Sequence, residues 1–366
     1  MMNKKIIISI VPHLEGGGVE RVVAMLSEGL IRLKNCECHI ITIRPYQSLI
    51  PIPDAIKVHN LDLTKRTFLN QRMSTRTKSK IVDDYITNHI SPNPELILAH
   101  QETVSKSVKK SKFGSIIYHV IHSNLTNARL GNKKWPGRFF TKSAIHNLYR
   151  NKNCIAVSQG VKEDLTANFN LCSDQIKVII NAVDEGLLKQ ESTSTSLDIQ
   201  EDYLLHVGNF SSAKRHDRLV ESYLKSGIKT PLRLIGKESD LTDTVSQLIK
   251  KNHLENQVII QGYESNPYPW IRNAKGLILS SDFEGLGMVL IEAVALGTPI
   301  ISTNCKSGPA EIVGDNTHCL TELSIDSLAL KIKELDDGPE KFRIPLLDKF
   351  KIESMVNAYY QLIDKH

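Results

Sequence analysis

The chain of 366 residues lacks most of the short patterns that announce chemistry. It has no Cys-x-x-Cys. Its six cysteines (Cys36, Cys38, Cys154, Cys172, Cys305, Cys319) lie scattered and read as reduced, mostly core thiols of a cytoplasmic protein, with no zinc or disulfide framework. Neither His-Glu-x-x-His nor Asp-x-Asp occurs, so a metal site has no sequence support; Asp282-Phe283-Glu284 is the nearest approach. The missing Gly-x-Ser-x-Gly disfavours a serine hydrolase. The missing Gly-x4-Gly-Lys-Ser/Thr and Gly-x-Gly-x-x-Gly disfavour a P-loop enzyme and a dinucleotide fingerprint. No apolar run approaches the roughly 20 residues that a membrane span needs. The apolar residues 6–11 after Lys4-Lys5 superficially resemble a secretion leader. Pro12-His13-Leu14-Glu15 cuts that run, and a buried first strand is the better reading. Asn124-Leu125-Thr126 would be a glycosylation acceptor only on a secretory route.

What is present is two sets of alternating strand-like and helix-like stretches. A hydrophobic content of 41% supports proper cores, and the length allows two domains. Strands are expected at residues 5–11, 38–43, 95–100, 115–122, 153–157 and 177–180. A second set is expected at 203–207, 232–235, 258–261, 276–280 and 299–302. Helical patterns such as Val19-Val22-Val23-Leu26-Leu30 lie between them. Strands alternating with helices imply parallel sheets covered on both faces, an α/β chain of two Rossmann-like halves. The Ser/Thr-rich residues 191–202 read as the interdomain linker. Residues 64–80 are polar and basic, and pattern alone leaves them a loop or the start of an amphipathic helix. The tail, 349–366, patterns as a helix with one apolar face.

Charge is unevenly spread. Residues 1–180 carry 26 Lys and Arg against 13 Asp and Glu, while the remainder carries 20 against 27. Such a basic front half suits an anionic partner. From Thr103 to Lys162 there are twelve Lys and Arg and no acidic residue, with aromatics interleaved in Lys133-Lys134-Trp135-Pro136-Gly137-Arg138-Phe139-Phe140. The residues alone leave a solvated basic face or a membrane-surface patch open. Cations near an anionic leaflet contribute on the order of 1 kcal/mol each, and Trp and Phe suit the interface. Nucleic acid is not expected, because no recognised binding module is present.

Three places carry candidate chemistry. Glu284 and Glu292 flank seven residues, Gly285-Leu286-Gly287-Met288-Val289-Leu290-Ile291. From Met288 to Leu296 every other residue is apolar, so this helix is buried, and a carboxylate inside it is costly unless something binds it. Gly297-Thr298-Pro299 stops the helix. The amides of Leu286, Gly287, Met288 and Val289 face outward from the helix start, where an anion is favoured. A satisfied structural Glu is the alternative. In the first half, Gly16-Gly17-Gly18 precedes Val19-Glu20-Arg21 at a strand-to-helix turn, which suits close approach to a phosphate or a purely steric need. In the second half, Val207-Gly208-Asn209 leaves its strand into Ser211-Ser212-Ala213-Lys214-Arg215, where Lys214 can meet a diphosphate as a point charge and Arg215 can clamp it bidentately. His122 ends a strand at the edge where sites sit, and either a ligand contact or a structural role fits it. His119 reads as structural. Tyr263, after the strand at 258–261, is a base-stacking residue or an ordinary rim aromatic.

The stretch from Asp282 to Glu292, continued by Ser307-Gly308-Pro309-Ala310-Glu311-Ile312, resembles the Glu-x7-Glu region of retaining glycosyltransferases of family four. Gly17-Gly18-Val19-Glu20-Arg21 is similar to that family's N-terminal turn. The resemblance is strongest over residues 203–315. It implies the GT-B fold, two Rossmann-like parallel-sheet domains facing a central cleft: an acceptor-side domain at 1–190, a nucleotide-sugar-binding domain at 191–348, and a helix at 349–366 crossing back to the first. It implies a metal-independent, cofactor-free transfer from a nucleotide-sugar donor, most readily a UDP-sugar, with retention of configuration. Glu284 would touch the transferred sugar, Glu292 the ribose hydroxyls, Lys214 the diphosphate, Tyr263 the base, and His122 the donor sugar or acceptor. The family's usual Arg five residues before Lys214 is Asn209 here, so one cation is missing unless Arg215 or Arg21 replaces it. The expected setting is bacterial surface polysaccharide or lipopolysaccharide synthesis on the inner face of the cytoplasmic membrane, with a glycan or lipid-linked acceptor. Asn209 keeps a non-catalytic scaffold as the rival, and a nucleotide-sugar epimerase on the same fold is a second.

Overall fold

A computed structural model describes residues 4–46, 50, 52–64, 73–131, 133–195, 197 and 201–363. The chain divides into two compact units, Met1–Ala182 with Ile352–His366, and Val183–Lys351.

The first unit is a seven-stranded parallel sheet. Its strands are β1 (Ile6–Val11), β2 (Glu37–Thr42), β3 (Lys57–Asn60), β4 (Leu96–His100), β5 (Ile117–Ile121), β6 (Asn153–Ala156) and β7 (Ile176–Val178), in the order β3-β2-β1-β4-β5-β6-β7. Its helices are α1 (Gly18–Lys34), α2 (Thr75–His89), α3 (Gln101–Ser107), α4 (Gly137–Tyr149) and α5 (Gln159–Phe169). β1, β4 and β5 read as continuous apolar runs because both sheet faces are covered. Ile8, Ile10, Ile41, Ile97 and Val104 form the centre of the core, each burial worth about 1.5–3 kcal/mol. The sequence reading missed β3, Lys57-Val58-His59-Asn60, because this edge strand is mostly exposed and polar. Of residues 64–80, α2 takes 75 onward, and 65–72 lie outside the described residues.

The second unit holds β8 (Leu204–Val207), β9 (Leu232–Ile235), β10 (Val258–Gly262), β11 (Gly276–Leu279), β12 (Ile300–Thr303) and β13 (Leu320–Thr321). Its order, β10-β9-β8-β11-β12-β13, reverses direction between β8 and β11, as in a nucleotide-binding Rossmann sheet. The helices are α6 (Glu185–Glu191), α7 (His216–Ser226), α8 (Asp240–Lys251), α9 (Tyr268–Asn273), α10 (Met288–Ala295), α11 (Pro309–Val313) and α12 (Ile325–Asp337).

The boundary falls at Ala182/Val183, ahead of the expected 190/191. α6 packs on α9 and α10 and so belongs to the second unit. The stretch 191–202 is therefore not the linker between the units; of it, 196 and 198–200 lie outside the described residues. Val183 instead forms a parallel bridge with Lys351, its N–H donating to the Phe350 carbonyl at 2.9 Å, where the chain leaves this unit. The last helix, α13 (Ile352–Tyr360), lies on α1 in the first unit: a Cβ on Gly29 would meet Val356 at 2.7 Å.

Candidate active site

In the second unit the connections after β8 and β11 diverge, which opens a crevice at the carboxyl ends of the two strands. Lys214 enters it from the first connection and Glu284 from the second. The Lys214 ammonium donates to Glu284 Oε1 at 2.7 Å, and the Ser281 hydroxyl donates to the same oxygen at 2.5 Å. The side chains are 21% and 12% exposed, so the pair is sheltered yet reachable. Its backbone is stitched across the crevice: Asp282 N–H donates to the Ala213 carbonyl at 2.8 Å, and the Ser280 hydroxyl to the Lys214 carbonyl at 2.7 Å. The Lys214 stem runs over Gly208, where a Cβ would lie 3.1 Å from Cε.

Gly287, at φ +93°, turns the second connection into α10 and caps it with no side-chain hydrogen bond. The first amides of Met288 and Val289 thus lie at an uncapped helix start, which carries partial positive charge. Glu292 is 8% exposed on the face shared with Met288 at i, i+4, and helical side chains lean toward the N-terminus. Gly308, at φ +108°, backs this turn so closely that a Cβ would sit 1.9 Å from the Leu286 carbonyl oxygen. That contact explains the Gly of the Gly-Pro-x-Glu-Ile stretch.

Arg215 does not offer the free clamp that the sequence allowed. Its guanidinium is held by Asp217, at 2.9 and 2.8 Å, and by Asp282 at 3.0 Å, and its pKa is raised first by the bonds to Asp217. Arg218 bonds Asp282 as well. Asn209 acts as a brace: its Oδ1 accepts the Lys237 N–H at 3.1 Å, tying the turn after β8 to that after β9. Lys237, which sequence reasoning passed over, places its ammonium 5.3 Å from the centre of the Tyr263 ring, at the carboxyl end of β10. Among the described residues the buried Tyr263 hydroxyl has no hydrogen-bond partner. Behind the crevice, His216 stacks on Phe210 at 4.1 Å, and burial with the nearby Lys214 lowers its pKa to about 4.

The first unit has its own site. A cavity of about 330 Å³ at the ends of β4 and β5 is lined by Val19, Gln101, Glu102, His122, Arg129 and Tyr149 among others. His122 shares a 2.9 Å hydrogen bond with Nδ1 of the fully buried His100. Burial pushes the His122 pKa down to about 4 and that of His100 well below the usual range. His100 went unnoticed in the sequence, although it ends β4 as His122 follows β5. Gly16 takes φ +90° and Gly18 faces open space. A Cβ on Gly17 would lie 2.4 Å from Oε2 of this chain's own Glu20, the far end of a flexible side chain. Arg21 follows on α1. His119 is buried against Tyr149, as a structural residue is.

Comparison with known proteins fits this geometry. The sequence model of the Glycosyl transferases group 1 family matches residues 189–344, and that of Glycosyltransferase Family 4 matches residues 16–187. The N-acetylgalactosamine-N,N'-diacetylbacillosaminyl-diphospho-undecaprenol 4-alpha-N-acetylgalactosaminyltransferase of Campylobacter jejuni is 28% identical over 316 residues, 83% of this chain and 82% of that protein. The lipopolysaccharide 1,6-galactosyltransferase of Salmonella typhimurium is 28% identical over 197 residues, 52% of this chain and 54% of that one. Among solved structures, Anabaena HepE in complex with UDP and glucose superposes with a TM-score of 0.77 at 15% identity, covering 99% of this chain and 100% of the other. At that identity the likeness concerns the fold, which is GT-B.

Proposed function

This chain belongs to the group 1 glycosyl transferases, and we propose that it moves a sugar from a UDP-sugar donor to a lipid-linked glycan acceptor with retention of configuration. The observation that carries this reading is the Lys214–Glu284 contact of 2.7 Å beside the uncapped start of α10. Charge that builds on a departing diphosphate would meet the Lys214 ammonium and the α10 amides, without a metal ion; preorganised donors of this kind are worth roughly 2.7–4 kcal/mol each in comparable sites. Glu284, held by Lys214 and Ser281, positions the sugar. Glu292 takes the ribose hydroxyls and Tyr263 stacks on the base. The acceptor oxygen bonds to the anomeric carbon on the face that the diphosphate leaves, the carbon–diphosphate bond breaks, and the acceptor proton passes to the departing oxygen.

His122 and its cavity in the first unit take the acceptor sugar. The Campylobacter relative's name describes a diphospho-undecaprenol substrate, and the Salmonella relative's a lipopolysaccharide. A lipid-linked acceptor accords with the patch on α4 and the turn before it. There Trp135, Phe139 and Phe140 are 83%, 62% and 65% exposed beside Lys133, Lys134 and Arg138. In this reading the chain works at the inner face of an anionic membrane, in bacterial surface polysaccharide synthesis. Among the described residues no helix is long and apolar enough to cross it.

Thermal unfolding with UDP, GDP, ADP and NAD in parallel tests the donor site. A ligand at about 100 times its dissociation constant stabilises the fold by roughly 2.7 kcal/mol. A shift with UDP alone is expected; no shift with any of the four overturns the reading. Asn209, a brace where the family has a cation, is the one observation favouring a scaffold without turnover. Donor consumed without acceptor and converted to an isomer would instead mark an epimerase.

A further inference from the structure

A second cavity in the first unit, of about 510 Å³, opens at the ends of β2 and β3 between α2 and α3. Ile43 and Leu63 contribute apolar surface, Thr64 and Thr103 hydroxyls, and Arg44 and Lys78 two cations. Arg44 is exposed and Lys78 half-buried. Neither side chain has a hydrogen-bond or ion-pair partner among the described residues, and none of the described residues lining the cavity is a carboxylate. The neighbouring Asp62 is turned to Thr64, its Oδ1 accepting the Thr64 N–H at 2.9 Å and hydroxyl at 2.5 Å. Several cations near the candidate sites are matched by carboxylates: Arg129 by Glu102, Lys214 by Glu284, Arg215 by Asp217 and Asp282. Two unmatched cations lining one polar hollow suit an anion, which they would bind through charge-assisted hydrogen bonds. Thr103 lines this cavity and the His122 cavity alike, so the two adjoin.

We propose that Arg44 and Lys78 form a binding site for a phosphate-type anion, and that it holds the phosphate of the acceptor whose sugar lies beside His122. The word acceptor rests on the transferase reading; the anion site does not.

Calorimetric titration of the full chain with inorganic pyrophosphate, and separately with geranyl diphosphate, both under saturating UDP, tests it. Each should bind with UDP present and weaken at high salt. Arg44→Gln/Lys78→Gln should lower each affinity at least tenfold and leave UDP binding as it was. Tighter binding of the geranyl ester says that the anion arrives on a lipid, equal binding that it arrives on a soluble phosphate. Absence of any UDP-resistant binding, or a double variant that binds both probes like the parent, overturns the proposal. Thermal midpoints check that the variant is folded, and Arg44→Gln alone gives a milder reading. If UDP itself fails to bind, the donor assignment falls separately; the pyrophosphate comparison then uses Lys214→Gln, which should not affect this site.

Discussion

Lys214 and Glu284 are 70 residues apart in sequence and 2.7 Å apart in space. Each leaves one of the two strands, β8 and β11, at which the sheet order reverses. The contact orients both partners at once. The lysine holds the carboxylate in place, and the carboxylate holds a flexible four-carbon chain over Gly208.

Lys214→Ala is expected to cut turnover by about 10²–10³-fold, the usual cost of losing a donor aimed at developing charge. Glu284→Gln should also lower it, and the double variant should lose less than the two effects summed, because the pair acts as a unit. Steady-state kinetics with a UDP-sugar would show this. Additive losses would mean that the two act separately.

Gly308→Ala should distort the site through the backbone. The added methyl group would overlap the Leu286 carbonyl at 1.9 Å and carry φ +108°. A cost of at least about 1–3 kcal/mol is expected in urea unfolding, together with weaker UDP binding from a displaced Gly287 turn. Unchanged UDP affinity would detach this turn from the donor site.

Acid should destabilise the fold through its buried histidines. Burial lowers the pKa of His119 to about 3 and those of His122 and His216 to about 4. Between about pH 6.5 and these values the unfolded chain binds protons that the folded chain refuses. Stability is therefore full above about pH 6.5 and falls as pH drops, by up to about 1.4 kcal/mol per pH unit for each such histidine. Urea midpoints from pH 7.5 to 4.5 measure the slope. His119→Asn should flatten it, and an unchanged slope would mean that His119 titrates normally.

The α4 patch gives a prediction of its own. Sedimentation with anionic vesicles should pull down the parent chain, and Trp135→Ser/Phe139→Ser/Phe140→Ser should release most of it without lowering the thermal midpoint, since all three side chains face solvent. Binding equally strong to neutral vesicles would remove the charge argument.

Much of this could be read from the chain because its strands are apolar on both faces. β1, β4, β9 and β11 stand within a residue or two of where runs of Ile, Leu and Val put them. β3 and β13 were invisible, the one polar at an edge and the other only two residues long. The Gly287 turn and the helix after it were legible too, since a Gly-x-Gly followed by eight residues apolar but for Glu292 has few other uses. Partnerships between distant loops were not. Nothing local in Ala213-Lys214-Arg215 says that the lysine faces Glu284 while the arginine is tied to Asp217 and Asp282. Nor does Gly-Gly-Gly reveal that the Glu20 carboxylate reaches back to its middle member.

The return of α13 to α1 sets an order for biosynthesis. The ribosome finishes every strand of the first unit by Val178, yet the helix that seals Gly29 begins at Ile352. At about 5–20 residues per second, the intervening unit keeps that groove open for on the order of ten seconds or more. During that time the nascent chain shows an unsealed seam on α1. A message truncated before Ile352 would leave it open for good, so the first-made half of the protein depends on a helix encoded beyond the whole second unit to cover its α1 seam.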